Sequence, residues 1–191
     1  RAERKTQGQW TGAWSASPQM LQVFPSTEQT IRLIVHPSLG GSAVRIRLSN
    51  TFGRTPLVIE KTGIAISAGP DSAELKSSSA RAVLFEGRSQ VIIPAGARAI
   101  SDPIDLAVDH GQGLAVDLDA GTIPAAITGH ASETLSSFIA TGDLVGTSSS
   151  APFRKRRGAW FWLDGLDVMT EPGTAGTVVV IGDSLTDGSR S

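Results

Sequence analysis

Cysteine and tyrosine are both absent from the 191 residues of this chain. The lack of cysteine excludes disulfides, thiolate metal ligands and cysteine nucleophiles. The lack of tyrosine means that no phenol can act as an acid or donate a hydrogen bond to an oxyanion. Neither absence fixes the compartment, because many secreted bacterial proteins also lack disulfides. We expect a secreted or periplasmic bacterial protein, although no residue of the chain determines this.

The chain also has little net charge and no long apolar run. Its formal net charge is −1, which argues against a nucleic-acid or acidic-membrane partner. No apolar run approaches the roughly 20 residues of a membrane span. Because 40% of the residues are apolar and 18% are charged, the chain can form a packed core.

Residue patterns that bind metal ions are missing as well. The aspartates between Asp102 and Asp119 do not follow the spacing of a calcium loop. The three histidines, His36, His110 and His130, form no cluster that would suggest zinc. We therefore expect neither a metal nor a cofactor.

Alternating apolar residues dominate residues 10 to about 170. Ile31, Leu33 and Val35 alternate with other residues, and the stretch 44–48 follows the same period of two. This pattern predicts strands with one buried and one wet face. Helical periodicity is nearly absent, and its best candidate is residues 71–79. Many short strands with frequent turns predict an all-β sandwich, jelly-roll-like in topology. Beyond the stretches 31–35 and 44–48, the predicted strands are 57–59, 63–67, 82–85, 90–93, 104–108, 114–118 and 134–139.

The pattern changes after the turn-forming residues 171–174. Residues 177–181 form a continuous apolar run of the kind found in a central parallel strand covered on both faces. We therefore predict two domains: a β-sandwich over residues 1–170, and a linker with the first strand of an α/β domain over residues 171–191.

Gly182, Asp183 and Ser184 follow that run directly. Gly182 permits a sharp turn, and Asp183 and Ser184 suit a turn or a helix start. A serine here would lie at the C-terminal edge of a sheet, where α/β enzymes place their chemistry. Free backbone N–H groups at a helix start can bind a developing oxyanion. The plainer interpretation is an ordinary strand-to-helix turn.

Residues 178–188 resemble the first block of the SGNH (GDSL-type) hydrolases. The segments 10–18, 29–32, 38–41, 44–53, 93–97 and 101–103 resemble, in the same order, the β-sandwich that precedes the hydrolase domain in one subgroup of this family. The resemblance implies a flavodoxin-like, three-layer α/β hydrolase domain that begins at residue 177. It also implies a serine esterase in which Ser184 is the nucleophile, its backbone N–H contributes to the oxyanion hole, and Gly182 and Asp183 support the turn.

The family's remaining catalytic groups, a Gly, an Asn and an Asp-x-x-His pair, come from later blocks that this chain does not contain. We therefore expect them on a further polypeptide segment, either continuous with this chain or present as a second chain. The expected substrate is a small ester: an acylated sugar, a lipid or a simple ester. The alternative function is a non-catalytic glycan-binding or structural sandwich module.

Three other features have competing interpretations. His130, expected on a loop, either borders the active site or is structural. The aromatic residues Trp160, Phe161 and Trp162 either line a ligand groove or belong to the core. The basic run Arg154–Arg157 is expected to be a solvated loop.

Overall fold

The computed structural model describes residues 8–131, 136–157, 160–173, 176–183 and 186. This part of the chain contains fifteen strands and no α-helix. The strands are β1 (Gln9–Ser15), β2 (Gln19–Gln22), β3 (Ser26–Val35), β4 (Val44–Ser49), β5 (Leu57–Ile59), β6 (Lys61–Ile66), β7 (Arg81–Val83), β8 (Val91–Ile93), β9 (Arg98–Ile100), β10 (Leu114–Ile123), β11 (Ala126–His130), β12 (Ser136–Thr141), β13 (Arg154–Arg157), β14 (Trp160–Phe161) and β15 (Leu163–Thr170).

The strands form two main sheets and two small ones. The main sheets have the orders β1-β15-β4-β9 and β13-β12-β3-β10-β6-β7. The small sheets have the orders β14-β11-β2 and β5-β8. All of these pairings are antiparallel. The all-β, sandwich-like prediction is confirmed, whereas the helix considered at 71–79 is wrong because turns and an isolated bridge occupy that stretch.

The main core lies between the facing sheets. Ile31, Leu33, Ile46 and Leu48 are fully buried, as the alternation predicts. Burying a side chain of this size stabilises the fold by about 1.5–3 kcal/mol relative to leaving it in water. On β4 the intervening Arg45 and Arg47 stay partly exposed, whereas Ser49 at the end of the strand is buried, so the wet face covers only the first part of this strand.

Strand β3 departs from the prediction of one wet face. Arg32 is completely buried and Ile34 is nearly so, because a second apolar cluster covers this side of the sheet. Two guanidinium nitrogens of Arg32 donate to the Asp117 carboxylate at 2.7 and 2.8 Å. A third hydrogen bond runs from Arg32 Nη2 to the Thr147 carbonyl at 2.9 Å. Alternation alone could not reveal that the loops containing residues 73–75 and 144–153 fold across this face.

Two further predictions need correction. The stretch 104–108 forms only isolated bridges, from Ile104 to Val44 and from Val108 to Gly41. The basic run Arg154–Arg157 is strand β13, paired with β12 at the sheet edge, and is not a loop. The side chains of Arg154 and Lys155 are nevertheless exposed, as expected for a solvated surface.

The strands of the sandwich end at Thr170, and residues 176–183 have no regular secondary structure. They cross the face of the four-stranded sheet that is turned away from the core, where Thr177 Oγ1 donates to the Gly12 carbonyl at 2.9 Å. The side chains of Val178–Ile181 are 71–92% exposed. The structure does not show the expected parallel strand at 177–181 or an α/β domain, so both remain predictions.

Candidate active-site cleft

The expected nucleophile turn is described through Gly182, Asp183 and Thr186, whereas Ser184 lies outside the described residues. A Cβ on residue 182 would lie 1.9 Å from Thr186 Oγ1 and 2.6 Å from its Cβ. Any side chain at position 182 would force Thr186 to move, which favours glycine at this position. The roles of Ser184 as nucleophile and backbone oxyanion donor remain predictions.

This turn forms one wall of a cleft of about 670 Å³. Residues Val179–Asp183 lie on one side, and the end of β1, the start of β2 and the end of β11 supply the other side. On the sandwich side, Trp14, Ser15, Gln19 and His130 line the cleft. The two regions that the sequence assigned to different domains thus share one concave surface.

His130 is the histidine that lies on this cleft. It is the last residue of β11, where it pairs with Trp160, so the expectation of a loop is wrong. Its ring is largely buried, and Nδ1 lies 2.8 Å from the Ser17 carbonyl oxygen. Because a carbonyl oxygen can only accept, Nδ1 donates in this hydrogen bond.

The aromatic run behind the cleft belongs to the core. Trp160, Phe161 and Trp162 are each at most 2% exposed, and Trp160 Nε1 donates to the Leu163 carbonyl at 3.0 Å. Trp14 packs against Trp160 with ring centroids 5.2 Å apart and reaches the cleft from that position. Of the two interpretations of the run, core packing agrees with the structure.

The carboxylate of Asp164 lies near His130, on the sandwich side of the cleft. Asp164 shares a small crevice with Ser17 and His130, and its carboxylate forms an ion pair with Arg98, whose Nε lies 3.0 Å from Oδ2. Burial raises the pKa of Asp164 above its ordinary value, and the nearby guanidinium groups of Arg98 and Arg47 only partly oppose this effect.

The cleft continues over the outer face of the four-stranded sheet, where residues 177–180 cover charged side chains. Arg45 Nε donates to Asp167 at 2.8 Å, and the Arg45 guanidinium lies 4.6 Å from the centre of the Trp10 ring. Arg47 lies flat over Gly165, where a Cβ would come within 2.3 Å of its Nε. From the sequence these arginines were predicted only to lie on the exposed face of their strand. Nothing in the sequence indicated that the distant Asp167 pairs with them.

A separate pocket of about 340 Å³ lies between the β4–β5 loop and the β10–β11 connection. Arg54, Glu60 and Thr122 contribute polar groups, and Trp162 lies at its base. The Asn50 amide in its wall donates to the carbonyls of Thr55 and Ile93 at 2.9 Å, so this amide serves to hold the loop.

In the part of the chain that the structure describes, no three or more His, Asp or Glu side chains are grouped as they would be around a metal ion. Among the same residues, no helix is long and apolar enough to cross a membrane.

No protein-family model matches the chain, and no curated protein matches it in sequence. The SGNH resemblance therefore rests on the motifs quoted above.

Proposed function

We propose that this chain is part of a serine ester hydrolase of the SGNH type, with Ser184 as the nucleophile. The observation that best supports this function is the shared cleft, in which the Gly182–Asp183 turn faces a polar wall of the sandwich. A cleft beside the predicted nucleophile gives a substrate a place to bind.

In the proposed reaction, Ser184 Oγ attacks the ester carbonyl carbon while a histidine on a further polypeptide segment accepts its proton. The tetrahedral oxyanion is stabilised by the backbone N–H of Ser184, together with the donors of that segment. Such a donor typically contributes about 10²–10³-fold in rate. The intermediate then releases the alcohol, which takes the proton from the histidine. Water hydrolyses the acyl-enzyme by the reverse sequence of proton transfers.

The rival function is glycan binding by the sandwich, and the pocket beside Arg54 and Glu60 is where such a ligand would bind. Sugars commonly bind on exposed aromatic faces, yet Trp162 in this pocket is only 2% exposed. This burial argues against stacking of a sugar on Trp162 in this pocket. A purely structural role for the sandwich predicts binding of neither esters nor glycans.

A fluorophosphonate probe tests the proposal, because it labels only activated serines. We expect one adduct on Ser184 in the native full-length protein, detected by mass spectrometry of its peptides. The adduct should be lost in Ser184→Ala and retained in Ser89→Ala, which changes an exposed serine on a turn. Absence of an adduct together with binding of the 191-residue chain on a glycan array would favour the rival.

A further inference from the structure

We infer that the pocket between the β4–β5 loop and the β10–β11 connection binds a small zwitterion with an apolar side group, that is, a free apolar amino acid. This pocket shares no lining residue with the cleft beside Gly182, so the inference does not depend on the proposed esterase activity. Its volume of about 340 Å³ lies near the lower end of the range for small-molecule sites, which favours a small ligand.

Most of the pocket surface comes from apolar residues. Its sides include residues that are still partly or largely exposed and can be covered by a ligand: Pro56, Val58, Pro124 and Ala126. Beneath them lie Leu57, Ile127 and Trp162, which are each at most 5% exposed. An apolar side group that enters the pocket is therefore removed from water, which favours binding.

The base of the pocket is fixed by its backbone. Trp162 has a φ of 52°, a left-handed conformation that bulky residues rarely adopt. Two backbone hydrogen bonds hold it there. The Trp162 N–H donates to the Thr128 carbonyl at 3.1 Å, and the Ser49 N–H donates to the Trp162 carbonyl at 2.7 Å. Rare backbone conformations of this kind concentrate at ligand-binding and active sites.

Two exposed residues of opposite charge, Arg54 and Glu60, also line the pocket. Glu60 Oε2 accepts from Gln90 Nε2 at 2.6 Å, and Arg54 forms no ion pair with the described residues. A ligand carboxylate can pair with the Arg54 guanidinium and a ligand ammonium with the Glu60 carboxylate. A ligand with only one of these charges would gain one pair and lie near a like charge, so a zwitterion is the better match.

The loop that carries Arg54 is already ordered. The Phe52 N–H donates to Thr128 Oγ1 at 2.8 Å, which ties the loop to β11. A Cβ on Gly53 would lie 1.8 Å from Asn50 Oδ1, so this glycine lets the loop pack against the Asn50 amide. A wall that is ordered in advance binds a ligand with less loss of conformational entropy.

The test is isothermal titration calorimetry of the native full-length protein with L-leucine and four comparison ligands. Isocaproate lacks the amine of leucine, isoamylamine lacks its carboxylate, glycine lacks its side chain, and glucose represents a sugar. We expect L-leucine to bind at least about tenfold more tightly than each of these ligands.

Two conservative variants locate the ligand. Arg54→Gln should weaken L-leucine binding about tenfold and remove its advantage over isoamylamine. Glu60→Gln should weaken it to a similar extent and remove its advantage over isocaproate. The matched controls Arg88→Gln and Glu74→Gln change exposed residues outside this pocket, and they should bind L-leucine as the wild type does.

Three results would overturn the inference. The first is no binding of L-leucine at about 10 mM. The second is binding that both Arg54→Gln and Glu60→Gln leave within about threefold of the wild type, because the ligand would then lie elsewhere. The third is tighter binding of glucose than of L-leucine, which would assign the pocket to glycans. Because calorimetry does not measure ester hydrolysis, this inference and the proposed function succeed or fail separately.

Discussion

Strand β3 and the segment 178–181 both contain large β-branched apolar residues, yet these residues lie in opposite environments. Ile31 in β3 is completely buried, whereas Ile181 is 92% exposed. The difference lies in the neighbours, because β3 pairs with β10 on one edge and β12 on the other. Residues 178–181 pair with no strand in the described part of the chain. An apolar run therefore forms a buried strand only where other segments supply its edges and cover its faces.

The comparison distinguishes the sandwich, whose apolar strand residues are buried, from the segment 178–181, whose apolar side chains are exposed. The sandwich satisfies its own core, including the buried Arg32–Asp117 pair. The segment that precedes the predicted nucleophile leaves four consecutive large apolar side chains exposed to water. Contiguous exposed apolar surface commonly marks a contact with another protein segment. The following predictions test each side of this difference, from the largest expected effect to the smallest.

Ser184→Ala tests the proposed nucleophile, which follows the exposed segment 178–181, and should have the largest effect. Removing the nucleophile should lower kcat for p-nitrophenyl acetate in the native full-length protein by about 10⁴-fold or more. Because the change removes one hydroxyl, the circular dichroism spectrum should stay as in the wild type. Near-normal turnover would rule out Ser184 as the nucleophile.

Asp117→Ala tests the buried Arg32–Asp117 ion pair of the sandwich. It would leave the Arg32 guanidinium charged and unpaired in the interior, at a loss of about 3–5 kcal/mol in the free energy of unfolding. Urea unfolding of the 191-residue chain measures this loss. Asp143→Ala is the control, because the Lys61–Asp143 pair lies on the surface and exposed pairs contribute little. Equal losses for the two variants would show that the buried pair is not important for stability.

The pair Ile46→Ala and Ile181→Ala tests the comparison itself. Ile46 is fully buried, so its truncation should lower the free energy of unfolding by about 2–5 kcal/mol. Ile181 is almost fully exposed in the 191-residue chain, so its truncation should change the free energy of unfolding by about 0.5 kcal/mol or less. A large loss for Ile181→Ala in urea unfolding would mean that this segment is already packed.

Asp164→Asn should give the smallest effect on the free energy of unfolding, and the difference from wild type should change with pH. Because the pKa of Asp164 is raised in the folded state, its contribution to stability is fully present below its ordinary pKa of 3.8 and is lost as pH rises through the raised value. Asparagine does not ionise, so the variant should gain stability relative to wild type between about pH 3 and about pH 7. Urea unfolding at both pH values measures this change. A constant difference would show that burial does not shift the titration of Asp164.

The sequence predicted the parts of the fold that follow from local alternation. The positions of β4, β5, β8 and the start of β10 agree with the predicted strands to within a residue or so. Seven strands escaped prediction, because their sequences lack clear alternation and their pairing comes from distant segments. They are β1, β2, β9, β11, β13, β14 and β15. The burial of Arg32 was likewise hidden, since its partner Asp117 lies 85 positions away in the chain.

The candidate site could be predicted only in its chemistry. The motif at 182–184 indicated a serine nucleophile, and His130 was considered as a border residue without any local signal for its position. Gln19 was missed because it reaches the cleft through the pairing of β2 with β11, and Ser15 because it does so through the pairing of β1 with β15. Arg45 and Arg47 were missed as a group, because their partner Asp167 comes beside them only through the pairing of β4 with the distant strand β15.

The most direct test of the central claim is p-nitrophenyl acetate hydrolysis by residues 1–191 alone, measured beside the native full-length protein. Ser184 requires a base that we place on a further segment, and an unassisted serine hydroxyl is a poor nucleophile. We expect no hydrolysis above background from residues 1–191 and enzyme-like turnover from the native protein. Enzyme-like turnover by residues 1–191 alone would contradict the claim and make His130 the first candidate for the base.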